Sequence, residues 1–195
     1  MKRLGLAIGG IVASAGGALL SITTVRFEPA SQAGPPAPAR PSFAEASGQA
    51  GLVVPVAGFR RTDLRDSWGD ARSEGRGHRG VDLIAPAGTP VVAAVSGRVE
   101  KLFESELGGT TLYLRSQDGG WQHYYAHLAG YAAGLREGMQ VRKGQVLGFV
   151  GDTGDAGKGN HHLHFSIARM KPGDRWWQGE DVNPYPLLAE RGGCR

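Results

Sequence analysis

The chain has 195 residues, 41% of them hydrophobic and 21% charged, which is room for one globular domain with a real core plus an appendage. Its formal net charge of +4 divides as +2 over residues 1–50 (four Lys/Arg against two Glu) and +2 over 51–195, and no basic stripe interleaved with aromatics stands out, so a nucleic-acid partner is not expected. The single cysteine, Cys194, leaves no internal disulfide and no cysteine-based zinc site to consider.

Lys2 and Arg3 precede an uncharged run from Leu4 to Val25. As a helix its 22 residues would reach about 33 Å, enough for a hydrocarbon layer of roughly 30 Å. The flanking cations place the N-terminus in the cytoplasm and the remainder outside. The run reads as a retained single-span anchor, with a cleaved signal peptide ending near Ala13-Ser14-Ala15 as the alternative. From Arg26 to Ala50 the composition turns to Pro, Ala, Ser, Gly and Gln, with five of the eleven prolines between Pro29 and Pro41, a segment too poor in apolar surface to fold and suited to a disordered tether. The expected organisation is therefore an anchor over 1–25, a linker over 26–50 and a domain over 51–195, held in the cell envelope on the periplasmic or outer side of the cytoplasmic membrane.

Within the domain, 32 glycines fall mainly beside short apolar runs, which favours tight turns between strands. Leu52–Val56 reads as a short strand, and Asp63 to Gly80 as a polar loop containing Asp66-Ser67-Trp68-Gly69. Val81–Ile84 follows, then the turn Pro86–Pro90 and the strand Val91–Val95. Further strands fit Val99–Phe103, Thr110–Arg115, Trp121–His127, Gln145–Val150 and His162–Ala168. No segment keeps a helical period, so the domain is expected to be all-β or nearly so.

The last strand carries the chemistry. Leu163, Phe165 and Ile167 alternate with His162, His164 and Ser166, so the apolar set enters a core while His162 and His164 project together from the other face, about 7 Å apart at Cα. Earlier, His78 stands four residues before Asp82. On a straight strand these would lie about 13 Å apart, too far to share one ion, but Gly77 and Gly80 let the backbone turn so that His78 folds back over Asp82. His, Asp and His can then meet one cation, and three N/O ligands leave a fourth zinc position for water, as catalytic sites require. Tyr124-Tyr125-Ala126-His127-Leu128 ends an aromatic strand with His127 at its edge. His123 has the same parity, either as a neighbour of His127 or as a solvated side chain. Trp121, Tyr124 and Tyr125 are candidates for groove or core, with at least one face in the core. The Gly151–Asn160 loop fits a flexible wall beside the cleft.

His78-x-x-x-Asp82, Tyr125-Ala126-His127-Leu128 and His162-Leu163-His164-Phe165, in that order and with Gly151-Asp152-Thr153-Gly154 before the last, resemble the signature of the lysostaphin-type zinc metallopeptidases of bacterial cell walls. The resemblance extends from about Trp68-Gly69 to Asn183-Pro184. It implies an antiparallel sheet domain of the lysostaphin-like, duplicated hybrid type with its site in an open groove, Zn2+ as cofactor and peptidoglycan peptides as substrate. It further implies that His78, Asp82 and His164 are metal ligands and that His127 and His162 are catalytic. Two departures are visible: His123 stands where the family often has Thr, and Asn160-His161 where Gly-Pro is frequent. His161, of opposite parity to His162, is expected to be a bystander.

Overall fold

The computed structural model describes residues 51–72 and 75–190. The expected anchor and linker, and Cys194, lie outside the described residues; among these, no helix is long and apolar enough to cross a membrane. The domain is a nine-stranded sheet in which every pairing is antiparallel. Its strands are β1 (Val81–Ile84), β2 (Pro90–Val92), β3 (Gly97–Ser105), β4 (Gly109–Ser116), β5 (Trp121–Tyr131), β6 (Gln140–Val141), β7 (Val146–Val150), β8 (His162–Arg169) and β9 (Glu180–Val182), followed by a short helix α1 (Tyr185–Ala189). The main order is β1-β8-β5-β4-β3-β6, with β7 bonded to β5 and β2, and β9 to β8.

The alternation read in the last strand is kept: Leu163, Phe165 and Ile167 are at most 1% exposed. Side chains of this size each contribute about 1.5–3 kcal/mol on burial. Tyr125 joins them in the core, its hydroxyl accepting from the Ala94 amide at 2.9 Å, and Trp121 is buried beside them. Leu52–Val56 is not a strand. Pro55 has no N–H to offer a ladder, so the segment makes isolated contacts with β2: a bridge at Val56–Val91 and a bond from the Val92 amide to the Pro55 carbonyl at 2.9 Å. β6, β9 and α1 have no counterpart among the elements expected from the sequence. At two, three and five residues they are too short to show a period. Arg61 ties the two ends of the domain together by donating to the Leu52 and Leu188 carbonyls.

β5 is the strand that positions the site. It pairs with β8 through Ala126 and with β7 from Leu128 onward, so His127 stands where its neighbours change. Against β4, Leu112 faces Tyr125 and Thr110 faces Leu128, so two steps on one strand match three on the other. That is a β-bulge, which re-aims side chains beyond it. His127 is the one non-glycine residue among those described with positive φ, 60°, a conformation costing roughly 1–2 kcal/mol for an L-residue. It is fixed by a bond from its amide to the Gly108 carbonyl at 2.8 Å.

The bulge corrects the parity reading. Up to Tyr125 the strand alternates regularly, and His123 is fully buried with its ring stacked 6.2 Å from Phe165. His127 is rotated to the opposite, groove face, beside Ala126. His123 is therefore neither its neighbour nor solvated.

Candidate functional site

A cavity of about 770 Å³ opens on the groove face and is lined by His78, Tyr124, Ala126, His127, His162 and His164, among others. β1 and β8 pair with Asp82 directly opposite His164, and β5 and β8 with Ala126 opposite His164. His78 precedes β1 and is fixed from outside the sheet: its amide donates to Asp70 O and its carbonyl accepts from Gly69 N, both at 2.8 Å.

His78 Nε2, His164 Nδ1 and Asp82 Oδ1 form a triangle with sides of 2.9, 3.2 and 3.2 Å. Ligands of a tetrahedral zinc at about 2.0–2.1 Å lie roughly 3.3–3.4 Å from one another, so these N and O donors fit such an ion with only slight spreading. Nδ1–H of His78 donates to the Ser67 carbonyl at 2.8 Å, which leaves Nε2 as the lone-pair nitrogen facing the triangle. Burial alone would raise the Asp82 carboxyl, but the His164 and His78 rings and the Arg72 guanidinium beside it overcome that and hold the group well below the ordinary carboxylate range. Burial pushes His164 down, against the pull of Asp82, so its ring is the neutral form that binds metals.

The other two histidines face the same point without joining the triangle. His162 Nδ1–H donates to the Asn160 carbonyl at 2.8 Å, and its Nε2 lies 3.9 Å from Asp82 Oδ1. His127 Nδ1–H donates to the Thr153 carbonyl at 2.8 Å, and its ring centre lies 4.7 Å from that of His162. Burial lowers the His127 pKa, only partly offset by the Thr153 carbonyl. Both rings thus turn an Nε2 toward the groove, as a proton acceptor or donor needs. His161 stays outside this set, 3.8 Å from Asp152.

Several contributors were not read from the sequence. Arg72 donates to Asp82 Oδ2, and nothing in a loop arginine ten residues upstream marks it. The carbonyls of Ser67, Thr153 and Asn160 orient three histidines, and main-chain acceptors leave no side-chain signature. Gly80 lacks a positive φ; what it supplies is room, because a Cβ there would come within 2.7 Å of His164 Cε1 and of the Phe165 carbonyl. The Gly151–Asn160 loop does wall the cleft, but it is stitched in place. Thr153 Oγ1 donates to Leu128 O and accepts from the Thr110 amide, Asp155 N donates to Leu107 O, and Gly159 N donates to Asp152. Across the opening, Arg76 reaches within 3.9 Å of Asp155.

The chain is 38% identical over 137 residues to an L-Ala--D-Glu endopeptidase of Bacillus subtilis, covering 66% of this chain and 40% of that protein. It is 35% identical over 129 residues to the DD-carboxypeptidase/endopeptidase Mpg of Neisseria meningitidis, covering 65% of this chain and 25% of that one. It therefore spans well under half of each of these relatives. Among solved structures, the catalytic domain of lysostaphin from Staphylococcus simulans superposes with a TM-score of 0.55 at 29% identity, over 66% of this chain and 92% of that domain. The model of Peptidase family M23 matches residues 76–184, a span that holds all five site residues, and the chain belongs to that family.

Proposed function

We propose that this chain is a zinc-dependent endopeptidase that hydrolyses stem or crosslink peptides of peptidoglycan, working from an N-terminal anchor and Pro-rich tether on the outer side of the cytoplasmic membrane. The observation that carries the reading is the convergence of His78 Nε2, Asp82 Oδ1 and His164 Nδ1 within 2.9–3.2 Å, with His127 and His162 turned to the same point. Zinc held by the three would act as a Lewis acid, acidifying water and polarising the scissile carbonyl. His162 and His127 divide the remaining work: one, neutral with its lone pair on Nε2, takes the proton of the attacking water, and the other, doubly protonated, donates Nε2–H to the charge developing on the carbonyl oxygen. His164, His78 and Arg72 keep Asp82 ionised, Arg72 also orients it, and the Ser67, Asn160 and Thr153 carbonyls hold each ring by Nδ1–H so that Nε2 faces the site. The peptide bonds attributed to the relatives support the substrate class.

The test is digestion of purified peptidoglycan and of a secreted-protein substrate by the full chain, with and without a chelator, alongside zinc content. The expected result is about one zinc per chain and chelator-sensitive release of new amino groups from peptidoglycan. A module that only binds the wall and activates amidases would show neither, and cleavage confined to the protein substrate would move the activity to secreted polypeptides.

A further inference from the structure

Two neighbouring tryptophans on the β8–β9 connection, Trp176 and Trp177, take no part in the chemistry above, and Trp177 is 55% exposed. They end a continuous row of aromatic rings that starts at the site. The ring of Tyr124 lies 6.0 Å from that of His164, Tyr113 lies 4.6 Å from Tyr124 as its direct cross-strand partner, Trp176 lies 4.8 Å from Tyr113, and Phe103 and Trp177 each lie 5.2 Å from Trp176. The row crosses β5, β4 and β3 on the groove side and finishes with two exposed hydrophobics, Phe103 at 40% and Trp177.

The turn that presents the tryptophans is built to hold still. Arg115, nearly buried and paired with Glu100 at 2.6 Å, donates to the Asp174 carbonyl at 3.2 Å. The Lys171 amide donates to the Asp174 carboxylate and the Arg175 amide to Gln178, both at 2.7 Å. Rigid, amphipathic aromatic surface continuous with a cleft is a binding surface in waiting, since ordering it costs little further entropy.

Resting on the peptidase reading, we propose that this row is a glycan subsite, on which the sugar rings attached to the scissile peptide stack against Trp177, Trp176 and Phe103. In peptidoglycan the peptide is covalently joined to an amino-sugar chain, so a peptide seated at the triangle brings pyranose rings within reach of the next strands over. The C–H faces of a pyranose are apolar and flat, matching an exposed indole.

The test uses the full chain and Trp177→Ala, with Phe103→Ala as a second surface variant, each checked for an unchanged melting temperature. N-acetylglucosamine tetramer, titrated against tryptophan fluorescence, should bind saturably and lose at least about tenfold in affinity in Trp177→Ala. The kcat/KM on a disaccharide-bearing crosslinked peptide should fall by a similar factor through KM, while that on the same peptide stripped of sugar stays unchanged. Absence of tetramer binding, equal losses on both peptides, or binding of Trp177 to phosphatidylglycerol vesicles in place of the sugar would overturn the proposal. If neither peptide is cut, the peptidase reading fails, and the tetramer titration still decides the subsite.

Discussion

Two histidines four residues apart on β5 have opposite fates. His123, in the regular part of the strand, is fully buried against Phe165, whereas His127, at the bulge, stands in the groove with its Nδ1–H on the Thr153 carbonyl. The residue type is the same and the strand is the same. One extra residue in the ladder turns a core side chain into a site side chain, which shows how narrow the distinction between packing and chemistry is in a sheet of period two.

The contrast predicts a graded set of effects on the proposed hydrolysis. His78→Ala or Asp82→Ala should abolish zinc binding and lower activity to the level left by a chelator, roughly three orders of magnitude or more, as expected when the Lewis acid is lost; metal analysis beside the hydrolysis assay checks both. On the groove face of β5, His127→Asn keeps a residue that tolerates positive φ, so the domain should fold and retain zinc while turnover drops about 100-fold, the scale of one acid/base or oxyanion contribution. His162→Ala should behave alike. If His162→Ala keeps full activity, the assignment of the pair is wrong.

A smaller effect is expected where only space is altered. Gly80→Ala should push His164 off its position and weaken zinc affinity by about 10-fold or more, the range for disturbed support of a ligand, with the far-ultraviolet circular dichroism unchanged; competition with a chromophoric chelator measures it.

On the core face, His123→Leu should leave hydrolysis at neutral pH intact. Its effect is on stability. Burial drives the His123 pKa down to about 4 from an ordinary 6.5. Below pH 6.5 the unfolded chain takes up a proton that the folded chain refuses, so this contribution to stability is complete above 6.5 and drains away as pH falls toward 4. The loss amounts to about 3 kcal/mol at most. Denaturation at pH 7 and pH 4.5 should show a smaller difference for the leucine variant than for the parent chain.

These contrasts also mark what sequence could convey. The alternation of Leu163, Phe165 and Ile167 with His162 and His164 is a local property of one strand, and it was legible because burial on one face leaves a period-two record. The His78-x-x-x-Asp82 pair was legible as a spacing, although the glycine at 80 makes clearance for His164 and not a left-handed turn. The bulge at His127 was not, because it exists only in the register of β5 against β4, between the pairs Leu112–Tyr125 and Thr110–Leu128 that are distant in the chain. Arg72 was not, because its meaning depends on Asp82 being half-buried opposite His164. The orienting carbonyls belong to the backbone and leave no trace in side-chain identity. The anchor and tether expected over residues 1–50 lie outside the described residues.

The convergence of three donors is tested most directly by anomalous diffraction at the zinc edge from crystals of the protein grown with zinc. A single peak bonded to His78 Nε2, Asp82 and His164 Nδ1, with the Nε2 atoms of His127 and His162 near it but beyond bonding distance, is the predicted result. A peak held by His127 or His162 in place of His78, or no peak from a preparation that still cuts peptidoglycan, would contradict it.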